Sequence, residues 1–154
     1  MAIAAGRDEG RIATIAAALL VGGASSRMGS DKSRLELGGV ANATRLARLL
    51  GALFDELLLV GGDPPADAPG RHVADPEGPV CALRGLVAAL EAAQAPRVLV
   101  VATDLPLLTP DLVLALVAWP EADAVVPLDA VGIHPLCAVY RREALLPLAR
   151  EQLA

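Results

Sequence analysis

The sequence predicts a three-layer α/β fold built on a mostly parallel sheet. Short apolar runs alternate with amphipathic segments from Ile12 onward, as they do where strands are joined by helical crossovers. Hydrophobic residues make up 55% of the chain and aromatic residues 2%, so Ala, Leu and Val must fill the core, which suits closely layered helices and strands. At 154 residues the chain has the size of one domain that buries a core without staples.

Residues 1–11 show no periodicity and read as a leader, with 12–154 as a single domain. The run I-A-T-I-A-A-A-L-L-V-G at 12–22 has the look of a signal-peptide core, but Arg7, Asp8, Glu9 and Arg11 cancel in charge ahead of it. It is also shorter than the about 20 apolar residues that span a bilayer. A buried strand over 14–20 is the expectation, with further strands at 56–60, 71–74, 98–102, 124–127 and 136–140. Asn42 can cap a helix whose apolar positions Leu46, Leu49, Leu50 and Leu53 recur at helical spacing, with Arg45 and Arg48 outward. An Ala- and Leu-rich helix follows at 80–93. Thr109-Pro110-Asp111 supplies a hydroxyl cap, a first-turn proline and an acid at the positive dipole end of a helix that Pro120 stops. A last helix at 142–152 must accommodate Pro147, with a kink expected there.

The formal net charge is −5 and Lys or Arg never cluster, which argues against a nucleic-acid backbone surface. Cys81 and Cys137 have no second Cys or His at metal-ligand spacing and read as reduced thiols of a cytoplasmic protein with no membrane association. Cys81 is expected to be packed rather than reactive.

The stretch L-V-G-G-A-S-S-R-M-G-S-D-K, Leu20 to Lys32, carries the chemistry. A buried strand ending at Leu20 and Val21 gives way to Gly22, Gly23 and further small residues, where backbone N–H groups can converge on a phosphate. Arg27 and Lys32 add a planar fork and a compact point charge. A Gly-Gly turn alone is common, but the whole string is more specific. It is neither a Walker A loop nor a G-x-G-x-x-G fingerprint. Asp104 follows an apolar strand and would face the ligand crevice of an open α/β sheet, where a hard carboxylate suits Mg2+; a turn-forming Asp before Leu-Pro is the alternative. Asp75 either approaches a base or belongs to the Asp75-Pro76-Glu77-Gly78 turn.

The loop resembles the signature of the molybdenum cofactor guanylyltransferases, the MobA family, within the Rossmann-like nucleotidyltransferases related to nucleotide-diphospho-sugar transferases. Gly78-Pro79-Val80 resembles the family's G-P-L segment, Thr103-Asp104-Leu105-Pro106 its C-D-x-P segment and His134-Pro135-Leu136 its H-P-L segment, in matching order from Ile12 to about Arg150. The resemblance implies transfer of GMP from GTP to molybdopterin cofactor with release of pyrophosphate, and a protein partner in cofactor delivery. It implies Leu20, Val21, Gly22, Gly23, Lys32, Asp75 and Asp104 as nucleotide contacts, and Arg27, Lys32 and Asp104 as the catalytic set. Asp104 would hold Mg2+, and His134 would touch the acceptor or merely satisfy a local hydrogen bond.

Two departures keep alternatives open. Gly61 stands where the family often has an Asn that contacts the nucleotide, so CTP or another nucleotide remains an alternative donor. The sequence ends at Glu151-Gln152-Leu153-Ala154 without the family's late N-x-N-T-P-like segment, so the domain reads as short at its C-terminus. A nucleotide-binding domain with impaired catalysis is the remaining alternative.

Overall fold

The computed structural model describes residues 10–22, 36–37 and 40–154. Most of residues 1–11, read from the sequence as a leader, lie outside that set; Ile12 already bridges Phe54, and its N–H donates to the Leu53 carbonyl at 2.8 Å.

In chain order the elements are β1 (Ile15–Leu20), β2 (Glu36–Leu37), β3 (Val40–Ala41), α1 (Asn42–Leu53), β4 (Leu57–Val60), β5 (Arg71–Val73), α2 (Ala82–Ala92), β6 (Arg97–Ala102), α3 (Pro110–Ala118), β7 (Ala124–Val125), β8 (Cys137–Arg141) and α4 (Arg142–Leu153). Six strands form one sheet in the order β5-β4-β1-β6-β8-β7, and β2 pairs with β3 in a small antiparallel ribbon. Strands β5, β4, β1 and β6 are mutually parallel, while β8 runs antiparallel to both β6 and β7.

Side chains alternate across the sheet and divide the core in two. Ile15, Ala17, Leu19, Leu99 and Val101 face α1 and α3, where Leu46, Leu50, Val113 and Leu116 meet them. Ala16, Ala18, Leu20, Val98 and Val100 face α2 and α4, against Val87, Leu90, Leu146 and Ala149. This is the expected three-layer arrangement. The three alanines of β1 are fully buried, and small side chains there let the helices lie close to the sheet. Gly85 on α2 shows how close: a Cβ at that position would sit 3.3 Å from Leu20 Cδ2.

Several expectations are corrected. Asn42 does not cap α1; Ala41 occupies the cap without a side-chain bond, and Asn42 is the first helical residue. Arg45 is half-buried and bonds to the Leu105 and Pro106 carbonyls, whereas Arg48 is exposed. The strand expected at 124–127 keeps only Ala124–Val125, because Pro127 lacks a ladder N–H. At α3 the expected start is present: Thr109 Oγ1 accepts from the Leu112 N–H at 3.3 Å, Pro110 opens the helix and Asp111 lies in its first turn. Helix α4 runs through Pro147. Among the described residues no helix is long and apolar enough to cross a membrane.

Candidate active site

Parallel pairing sets the strand exits level. Leu20 stands opposite both Val60 and Ala102, and Val60 opposite Val73, so β1, β4, β5 and β6 end along one edge. The residues that follow are Val21-Gly22, Gly61-Gly62, Ala74-Asp75 and Thr103-Asp104. From β1 the chain proceeds to β4 and β5 on one side and later to β6 on the other, which makes the carboxyl edge at β1 the crevice where open α/β sheets bind ligands. Antiparallel β8 begins at the same edge, since the Ala102 N–H donates to the Leu136 carbonyl at 2.9 Å. His134-Pro135-Leu136 is thereby brought to the site. With neighbouring strands about 4.8 Å apart, the exits of β5 and β6 are roughly 14 Å apart.

The first glycine of the loop has a role that the sequence alone does not show. An added Cβ at Gly22 would lie 2.6 Å from the Gly62 nitrogen and 3.1 Å from its Cα. Gly61 and Gly62 take the left-handed region at φ 76° and 54°, and they turn the chain after β4 directly against Gly22. Gly23, Arg27 and Lys32 lie outside the described residues.

Asp75 is half-buried beside this turn. A Cβ at Gly61 would meet its carboxylate oxygens at 2.5 and 2.8 Å. On its other side stands Arg84, whose Nη2 is 3.8 Å from Asp75 Oδ2 and whose Nη1 donates to the Gly78 carbonyl.

Asp104 is exposed at the end of β6, on a loop held from below by α1. The buried Asn42 side chain donates to the Thr103 carbonyl. Arg45 Nη2 donates to the Pro106 carbonyl at 2.7 Å and to that of Leu105 at 3.3 Å, while its Nε donates to Asn42 Oδ1 at 3.2 Å. One guanidinium and one amide therefore grip the backbone on both sides of Asp104, whose side chain is exposed.

His134 is engaged within its own hairpin. Its Nε2 lies 2.8 Å from Asp129 Oδ2, an ion-pair distance. Asp129 Oδ1 accepts from the Val131 N–H at 2.8 Å and the Gly132 N–H at 3.1 Å. The Val131 amide first, then His134 and Gly132, hold the Asp129 carboxyl below its ordinary range. Cys81, expected to be packed, is exposed at the start of α2; Cys137 is buried, which pushes its thiol up.

A concavity of about 1120 Å³ lies at the opposite, amino-terminal edge, lined by residues including Glu56, Arg71 and Gln94. Its central charge is already used. Glu56 accepts from the Gln94 and Ala95 N–H groups at 3.0 to 3.2 Å and faces Arg71 at 3.7 Å, which ties the end of α2 to the sheet. Topology and chemistry both favour the carboxyl edge.

Comparison with known proteins decides the family. The model of the MobA-like NTP transferase domain matches residues 17–153. The chain belongs to that family. A protein of Chloroflexus aggregans named probable molybdenum cofactor guanylyltransferase is 42% identical over 141 residues, covering 86% of this chain and 68% of its own length. A protein of the same name from Pelotomaculum thermopropionicum is 35% identical over 130 residues, 80% of this chain and 62% of its own length. The MobA-like domain thus spans about two thirds of these curated relatives. The crystal structure of molybdopterin-guanine dinucleotide biosynthesis protein A from Archaeoglobus fulgidus superposes with a TM-score of 0.73 at 21% identity, covering 89% of this chain and 72% of that one, and supports the fold. The MobA-like domain is a nucleotidyltransferase by family.

Asn42, Arg45 and Arg84 escaped the sequence reading as site residues. A signal for two of them existed. Arg45 and Arg84 stand near the starts of helices, where the dipole disfavours a cation, so each needs a compensating partner.

Proposed function

We propose that this MobA-like domain transfers GMP from GTP to the terminal phosphate of molybdopterin cofactor, releasing pyrophosphate. The observation that carries this reading is the level edge that gathers Gly22, Gly61, Asp75 and Asp104 from four parallel strands, wide enough for a nucleotide laid across it. Its base would lie toward β4 and β5, by Asp75, and its phosphates toward β1 and β6.

An acceptor phosphate oxygen bonds to the α-phosphorus of GTP, and the bond to the bridging α–β oxygen breaks, so pyrophosphate departs with that oxygen. The acceptor is already an anion and needs no strong base. Catalysis then rests on alignment and charge neutralisation. The Gly22-Gly23 backbone, Arg27 and Lys32 hold the triphosphate and stabilise the leaving group, while His134 borders the acceptor side. Among the described residues no group of three or more His, Cys, Asp or Glu could hold a metal by itself. A single exposed carboxylate nevertheless fits Mg2+ carried by phosphate oxygens, the usual mode for that ion. Asp104 would hold it, and the ion when bound would neutralise charge on the donor phosphates. Asn42 and Arg45 keep that carboxylate in place.

The test is a titration of GTP, CTP and ATP with Mg2+, followed by pyrophosphate release once cofactor is added. GTP should bind best, and Lys32→Ala and Asp104→Ala should each lower turnover by about 100-fold or more with the fold intact. Near-wild-type pyrophosphate release from either variant removes these assignments. A CTP-using transferase is the second reading, favoured by the bare backbone at Gly61; clear preference for CTP would establish it.

A further inference from the structure

The base end of the site is built from three residues that constrain one another. Gly61 has no side chain, and the Asp75 carboxylate occupies the volume where one would project, 2.5 and 2.8 Å from the ideal Cβ position. Arg84 keeps the carboxylate there. Its side chain is only 12% exposed, one terminal nitrogen is 3.8 Å from Asp75 Oδ2, and the other donates to the Gly78 carbonyl. A single guanidinium therefore pins both ends of the 75–78 turn to the first turn of α2. An arginine there opposes the helix dipole and cannot shed its proton, and its buried Nε finds no hydrogen-bond partner among the described residues. Such a placement is tolerated for what it holds.

We infer that Arg84 is a positioning residue that locks Asp75 over Gly61 and so makes this carboxylate the guanine-selecting element of the chain. An ionised carboxylate only accepts hydrogen bonds. The Watson–Crick edge of guanine offers two adjacent donors, N1–H and the 2-amino group, and both oxygens of a fixed carboxylate are satisfied by them. Cytosine presents one amino donor beside the N3 acceptor, so a carboxylate that cannot turn away meets a lone pair and is repelled. Released from Arg84, Asp75 swings with its loop and the penalty on cytosine disappears. The inference rests on the GTP reading given above.

The experiment measures dissociation constants of GTP and CTP with Mg2+ for the wild-type chain, Arg84→Ala and Arg84→Lys, with thermal unfolding as a check on folding. The wild type should favour GTP. Arg84→Ala should lose at least about tenfold of that preference, mainly through tighter CTP and weaker GTP binding, and Arg84→Lys should recover part of it, since a lysine restores the charge but not the fork. In turnover with cofactor, KM for GTP should rise more than kcat falls. An Arg84→Ala protein that folds and keeps the wild-type ratio overturns the inference while leaving the GTP reading standing. If the wild type itself shows no GTP preference, both fall. Should Arg84→Ala fail to fold, Arg84→Gln supplies the same test: loss of the preference supports the positioning role, and an unchanged ratio refutes it.

Discussion

Replacing Gly22 by alanine tests how the phosphate loop is joined to the sheet. The new methyl carbon would lie 2.6 Å from Gly62 N, 3.1 Å from Gly62 Cα and 3.3 Å from Gly61 C, all of them backbone atoms. Ordinary contact begins near 3.4 Å, so the exits of β1 and β4 must part by about 0.8 Å, with no flexible side chain to absorb the shift. Overpacking of this kind costs about 1–3 kcal/mol. In a domain of this size each kcal/mol lowers Tm by about 2–4 °C, which gives an expected fall of about 2–12 °C. Differential scanning calorimetry with and without GTP reads both consequences. The apo Tm should fall, and the stabilisation by GTP should shrink, because the displaced edge also carries Gly61 and Asp75. Gly62→Ala, at φ 54° and 3.0 Å from Gly22 Cα, should destabilise too, and the double variant should lose less than the sum of the two, since both force the same gap between the strand exits to open. An unchanged Tm for Gly22→Ala, or strict additivity in the double variant, would refute the close approach.

Arg45→Ala should lower turnover more than it lowers GTP affinity, because it releases the Leu105 and Pro106 carbonyls beside Asp104; equal loss of both would contradict a positioning role. Asn42→Ala leaves the Thr103 carbonyl without its buried donor and should cost about 1–3 kcal/mol of stability, read from chemical denaturation. In the native protein a thiol reagent should titrate Cys81 rapidly and Cys137 only on unfolding, since burial both blocks that thiol and raises its pKa; fast release of two equivalents would contradict the packing. The Asp129 carboxyl is held below its ordinary 3.8, so its grip on the hairpin is present above that pH and is lost as pH falls through the lower folded value. Amide exchange at Val131 and Gly132 should therefore accelerate in Asp129→Ala at pH 7, and an unchanged rate would show that the carboxylate does not order the hairpin.

The layered α/β architecture was legible because the apolar runs are short, the helical spacing in α1 is clear, and Thr109-Pro110-Asp111 marks a helix start by local chemistry. Strand ends were legible for the same reason, and with them the gathering of Gly22, Asp75 and Asp104 on one edge. What the sequence hides is long-range polar pairing. Asn42 resembles a cap because caps are local, yet its partner is 61 residues away. Arg45 resembles a solvated helix face until the Thr103–Pro106 loop folds onto it. The contact of Gly22 with Gly62 depends on two left-handed glycines meeting a third across neighbouring strands, and local pattern cannot report such a meeting. Cys81 was misjudged because composition favours burial of cysteine, whereas the start of α2 here lies at the surface.

The central claim is guanylyl transfer by this chain, and product analysis tests it most directly. The 154-residue protein is incubated with GTP, Mg2+ and molybdopterin cofactor, and the products are separated and identified by mass. The account predicts the guanine dinucleotide form of the cofactor together with one equivalent of pyrophosphate, and neither product from CTP. Formation of the cytosine dinucleotide in preference, or bound GTP that yields no dinucleotide, would contradict it.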